Sequence, residues 1–275
     1  MKQERHRSEV VAIKSGNYVI EYELHTCREA PPQPERNRNP EKRNPQTEAQ
    51  RLHNIKMCKR KAARTVNSNF QSDDYKLVLS FANEPSGFDE ANDCVKLFLR
   101  RVNRILAKTG EKLCYFLVIS DKDPETKEEN RFHVHMIVKR TPSIQYTKIG
   151  GDIPAIFTIG EKDIEDLWGN GIVKVQLLTG RDQTKVVRYM INQSAAPSGK
   201  AKYKFARGMA IPKRTIYSGA SLSVTRSIHP VEEVDIVEWG CNYQRLVLKG
   251  PGKDCAGQVC LEFRENAKPN FHYAC

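Results

Sequence analysis

Residues 129–142 read ENRFHVHMIVKRTP, and the fold turns on how this stretch is read. Phe132, Val134, Met136 and Val138 alternate with His133, His135 and Ile137. In an extended strand, successive side chains point to opposite faces. The period therefore gives one apolar face suited to a core and sets both imidazoles side by side on the other. Two readings of that second face stay open at this level. It is either a polar outer surface that holds two histidines, or part of a metal site, since neutral imidazole suits divalent transition metals.

The neighbours of the pair narrow the metal folds. Met136, Ile137 and Val138 stand where a metallo-β-lactamase-like site would add Asp and His. Lys139 and Arg140 stand where a cupin would place a Glu. The second H-x-Ser/Thr element of a two-histidine phosphoesterase is missing.

Working outward, DKDPETKEEN before the pair is a polar hairpin loop, and KLCYFLVIS before that is the strand it joins. YKLVLSFAN, from Tyr75, is a compact apolar strand. Between these strands lies SGFDEANDCVKLFLRRVNRILAKTG. Ala91, Cys94, Val95, Phe98, Val102, Ile105 and Leu106 recur there at three- and four-residue steps, the pattern of one buried helix face. Asp89 and Glu90 suit its positive end, and Gly110 follows its last turn. After a loop, EKDIEDLW reads as a short helix stopped by GNG, GIVKVQLL as a strand and TKVVRYMINQS as a helix. AAPSGKAKYKFARGMAIPKRT reads as a basic loop or hairpin. The order predicts an α+β fold with a central antiparallel sheet flanked by helices, of ferredoxin-like type.

The flanks differ from this middle. NYVIEYEL reads as a strand, REAPPQPERNRNPEKRNPQTEAQ as a disordered linker, and RLHNIKMCKRKAARTVNSNF as a basic helix. The expected division is a basic, partly disordered extension over 1–69, a catalytic domain over 70–225 and a C-terminal extension over 226–275. Lys and Arg number 45 against 33 Asp and Glu, a formal charge of +12. That excess suits a polyanionic partner without separating DNA from RNA or a membrane surface. No apolar run approaches the ~20 residues of a membrane span, and no apolar h-region follows the charged first residues, so a cytoplasmic protein is expected. The eight cysteines form no C-x-x-C pair and read as reduced thiols. Cys255, Cys260, His272 and Cys275 are zinc-ligand types without the close pairing such sites use.

On the helix TKVVRYMINQS, Lys185 precedes Tyr189 by four residues, while Asn192 and Gln193 follow it by three and four. These positions share roughly one helical face, with Val187 and Ile191 pointing away. LVLSFAN, RFHVHMIV and VVRYMINQS now stand in the order of the three motifs of HUH-type rolling-circle replication initiators, which this chain resembles over residues 75–215. IEDLWGNGIVKVQLL and KYKFARGMAIP resemble the segments that flank the third motif in phage-type members. The resemblance implies a divalent ion, Mg²⁺ or Mn²⁺, on His133, His135 and a third ligand. Asp121 is its first candidate, with Asp123 and Glu125 as alternatives. It implies Tyr189 as nucleophile, ahead of Tyr203 and Tyr217.

Two departures matter. Asn192 stands where many relatives have the lysine of Tyr-x-x-Lys, so Lys185 is the expected cation. Gln193 stands where some have a second tyrosine, which implies a single-tyrosine enzyme. Lys200, Lys202, Lys204 and Arg207 are the expected DNA contacts. The implied partners are single-stranded origin DNA in a bacterial host, a DNA polymerase and a separate helicase, since no P-loop occurs. The other readings are a transposase or relaxase of the same chemistry, and a non-catalytic basic regulator that binds nucleic acid without cutting it.

Overall fold

The computed structural model describes residues 7–16, 18–27, 47–122, 129–147, 156–218, 220–224, 233–240, 243–249 and 259–263. The chain divides into two compact units, Asn69–Ala210 and the combination of Met1–Ser68 with Ile211–Cys275. The expected linker over 28–46, the candidate ligands Asp123 and Glu125, and the side chains of Tyr217 and of the cysteine-bearing tail lie outside what is described.

In the terminal unit the described strands are β1 (Arg7–Ser15), β2 (Val19–Cys27), β11 (Lys213–Ser218), β12 (Ala220–Val224), β13 (Glu233–Gly240), β14 (Tyr243–Lys249) and β15 (Val259–Phe263). β1, β2, β11, β13 and β14 form an antiparallel sheet in the order β11-β1-β2-β14-β13, and β12 pairs with β15. The strands of the N-terminal stretch thus share a sheet with strands from beyond residue 210, a different cut from the sequence division at 69 and 225. Pairing between opposite ends of the chain leaves no periodicity in the sequence to read. Helix α1 (Glu48–Asn69) places Arg60 and Arg64 against Glu21 and Glu23 of β2, all four nearly buried. Gly16 joins β1 to β2 at φ +69, and a Cβ there would stand 2.1 Å from the Asn67 carbonyl oxygen.

The middle unit holds β3 (Tyr75–Ser80), α2 (Phe88–Leu106), β4 (Tyr115–Lys122), β5 (Glu129–Val138), β6 (Ile144–Thr147), β7 (Ile156–Ile159), β8 (Lys162–Asp163), α3 (Ile164–Trp168), β9 (Val173–Leu177), α4 (Thr184–Asn192) and β10 (Lys204–Phe205). Five strands make an antiparallel sheet in the order β10-β4-β5-β3-β9. This is the expected α+β architecture. One stretch differs, because residues 142–160, read as a loop, contribute β6 and β7 to a small separate sheet with β8. Four-residue strands are too short to show alternation in a sequence.

The core lies on one side of the five-stranded sheet. Leu77, Leu79, Leu117, Ile119, Val134, Met136 and Val138 meet the buried stripe of α2, Ala91, Val95, Phe98, Leu99, Val102 and Leu106. Trp168 ends α3 in that core with rings of Phe81 and Phe98 edge-on, and its indole N–H donates to the Ser80 carbonyl at 2.8 Å. The turn that follows grips the same strand end. Ser80 N–H donates to the Ile172 carbonyl and Ala82 N–H to that of Asn170, while a Cβ on Gly171 would fall 2.5 Å from the Ser80 oxygen.

Candidate active site

The register places side chains in rows on the opposite face. Ser80, His133 and Ser120 form one row; Lys174, Val78, His135 and Val118 the next; Gln176, Lys76, Ile137 and Phe116 the third. This histidine face is not a plain solvent surface. Phe116, Val118 and Ile137 are fully buried and His135 is 5% exposed. Helix α4 packs over this half of the sheet with Val187, Met190 and Ile191 buried. Sequence alternation placed the imidazoles together, and only the helix laid across them decides that they sit in a crevice.

The two Nε2 atoms stand 3.1 Å apart, with the rings edge-on. His133 Nδ1 lies 2.9 Å from the Arg131 carbonyl oxygen, which can only accept. Nδ1 therefore carries the proton and the Nε2 lone pair is free to face His135. Gln193 turns its amide oxygen to His135 Nε2 at 3.1 Å. Its Oε1 assignment fits, because Gln193 Nε2 then donates to the Tyr189 carbonyl at 3.4 Å. Burial, then the neighbouring His133 and Lys76, lower the His135 pKa to about 4, with the Gln193 hydrogen bond opposing. His135 is thus neutral at physiological pH, the state a metal ligand needs.

The start of β5 is tied down as well. Glu84 accepts from Arg131 Nε at 3.0 Å and from Phe132 N–H at 2.6 Å, and Arg131 Nη2 donates to the Phe81 and Ala82 carbonyls. These bonds hold the backbone on either side of His133.

Tyr189 sits on the exposed side of α4, 40% exposed, with its ring centroid 5.8 Å from that of His135. The cation at its ring is Lys76 of β3, whose Nζ lies 5.6 Å from the centroid, within cation–π range. Lys185, the expected cation, is exposed one turn before Tyr189 and has no contact with its ring among the described residues. Lys76 was legible in part, because it alternates with Val78 and Ser80 onto the face that pairs with the histidines.

Donor chemistry fits a divalent ion. Two Nε2 atoms at 3.1 Å match neighbouring ligands about 2.1 Å from a shared centre. Asp121 Oδ1 is buried without a hydrogen-bond partner. Asp121 follows Ser120, the residue opposite His133, at a bulge that ends β4. Among the described residues no group of three His, Cys, Asp or Glu side chains comes together as a metal site. The third polar atom converging on the imidazoles is the amide oxygen of Gln193. The sequence showed Gln193 on the tyrosine helix but offered nothing to pair it with His135.

The expected DNA contacts scatter. Lys200 Nζ pairs with Asp89 and lies over the Phe88 ring, and Lys204 Nζ bonds to Asn92. Lys204 pairs with Leu117, so it belongs to the α2 side of the sheet, and burial lowers its pKa. Lys202 and Arg207 have no side-chain bond or ion pair among the described residues. No helix among the described residues is long and apolar enough to cross a membrane.

Residues 75–194 match the family model of replication-associated protein ORF2. Lys76, Asp121, His133, His135, Lys185, Tyr189 and Gln193 all lie inside the matched segment, and the basic hairpin from Lys200 lies beyond it. No curated protein and no solved structure matches the chain.

Proposed function

We propose that this chain initiates rolling-circle DNA replication by nicking single-stranded origin DNA with Tyr189. The observation that carries the reading is one crevice. A free imidazole lone pair, a neutral buried imidazole and an amide oxygen converge beside a solvent-reachable phenol, inside the segment similar to a replication-associated family.

The Tyr189 oxygen gives its proton to water and bonds to phosphorus. The bond from phosphorus to the 3′ oxygen breaks, and that oxygen leaves with the electron pair and takes a proton from water. The products are a 5′-phosphotyrosine link and a free 3′-hydroxyl. The hydroxyl primes a DNA polymerase in a bacterial host, and a separate helicase opens the strand. The phosphotyrosine ester keeps the bond energy of the phosphodiester, so attack by a 3′-hydroxyl rejoins the strand. His133, His135 and Gln193, with Asp121 at the strand end, would hold Mg²⁺ or Mn²⁺, which supplies Lewis-acid polarisation of the phosphate. Helix α4 fixes the phenol against the histidine row, so the strand is presented to a nucleophile already in place.

The test is a denaturing gel with an origin oligonucleotide and Mn²⁺. A protein–DNA adduct is expected from the wild type and none from Tyr189→Phe. An adduct that survives Tyr189→Phe and is lost in Tyr217→Phe overturns the nucleophile. Salt-sensitive binding with no adduct on any strand of the replicon favours the non-catalytic regulator.

A further inference from the structure

We infer that Lys76 is the cation that holds the scissile phosphate beside Tyr189, and that the single strand leaves it over β9 past Lys174. The inference rests on the nicking reading above and names the residues that bind its substrate.

The chain lacks the lysine of Tyr-x-x-Lys, Asn192 standing there instead. A phosphate between a phenol and a metal site still needs positive charge fixed in place, because its charge spreads over the oxygens as the bond changes. Lys185 extends from the exposed side of α4. Lys76 instead rises from the middle of a strand in the sheet, half-buried, with Nζ 5.6 Å from the Tyr189 ring centroid. It is close enough to His135 to contribute to that imidazole's low pKa.

The burial pattern gives the path. On the β4 and β5 half of the histidine face, Phe116, Val118 and Ile137 are fully buried, so no strand can lie there. On the β3 and β9 half, Lys76 and Val78 are half-buried and Lys174 and Gln176 exposed. Lys174 pairs with Val78, and Gln176 with Lys76, so the two lysines stand diagonally across neighbouring strands, about 7–8 Å apart at Cα. The rows formed by residues 76, 78, 80, 133, 135, 137, 174 and 176, and the whole of α4, contain no Asp or Glu. The open half of the face is thus cationic without a competing carboxylate. Lys200, by contrast, is already paired with Asp89, and Lys204 is bonded to Asn92 on the other side of the sheet.

The experiment maps the nick on the wild type, then compares Lys76→Met, Lys76→Arg, Lys174→Met and Lys185→Met, with Lys96→Met on the far helix as control. Single-turnover adduct formation in Mn²⁺ is read beside oligonucleotide affinity in EDTA. Lys76→Met is expected to slow the adduct step about 10²–10³-fold, with Lys76→Arg recovering most of it. In EDTA, a methylphosphonate at the mapped position is expected to weaken wild-type binding but not that of Lys76→Met. Lys174→Met is expected to reduce the salt slope of binding by about one phosphate while leaving the adduct rate within a few-fold. A wild-type rate in Lys76→Met, or the loss appearing in Lys185→Met instead, overturns the assignment. Absence of any wild-type adduct would instead overturn the nicking reading on which it rests.

Discussion

His135 Nε2 lies 3.1 Å from Gln193 Oε1, although 58 positions separate the two residues. One comes from the middle of a strand and the other from the end of the helix laid over it. The same helix end sets Tyr189 one turn earlier, its ring beside the same imidazole. A single packing event therefore places a third oxygen and a phenol around the histidine pair.

If that oxygen is a ligand, Gln193→Ala should weaken Mn²⁺ binding by about 10–100-fold, measured by calorimetry on the DNA-free protein. Gln193→Glu should tighten it, since a carboxylate adds charge at the same reach. An unchanged Mn²⁺ affinity in Gln193→Ala alongside a loss in Asp121→Asn would move the third ligand to Asp121.

Protonation of His135 should erode stability in acid. Its pKa is about 4 in the fold, set mainly by burial, against an ordinary 6.5. The unfolded chain then takes up the proton first, so the stabilisation is complete above pH 6.5. It is lost as pH falls toward 4, and levels off below. The loss is about 2–3 kcal/mol. Urea midpoints in EDTA across that window should show it, and His135→Gln should flatten the slope. Equal slopes in both proteins would count against it.

Gly171→Ala should destabilise the fold by more than about 1 kcal/mol. The residue holds φ +152, and an added Cβ would meet the Ser80 oxygen at 2.5 Å and the Ala82 nitrogen at 2.7 Å. Those atoms are backbone and cannot swing aside. A lowered urea midpoint at constant m-value is the expected reading.

Arg64→Met should cost about 3–5 kcal/mol, because it strips a nearly buried guanidinium from Glu21 and Glu23. Thermal unfolding of the full chain reads this directly. Arg64→Lys should recover only part, as one ammonium cannot match the two-carboxylate geometry of the guanidinium.

Local periodicity carried much of the reading. The α2 stripe, the apolar side of β5 and the placing of His133 with His135 all follow from steps of two or three to four residues, which a chain shows without knowing its partners. The expected margin of the stripe was also legible, with Cys94 and Ile105 packing at its edge. The short β6 and β7 strands escaped because so few residues carry no period. The basic hairpin misled for a different reason. Charge in a sequence says nothing of its partner, and Asp89 and Asn92, more than a hundred positions away, take up two of its lysines.

By itself, then, the sequence determined which side chains share a strand or helix face, because backbone geometry alone sets those periods. It placed both imidazoles together and Tyr189 on a helix with Gln193. Only the tertiary structure decided that this helix covers the histidine face, that Gln193 rather than a second tyrosine meets His135, and that Lys76 is the cation at the phenol. Each of those depends on which elements pack together, and packing is chosen by burial across the whole fold rather than by any local repeat.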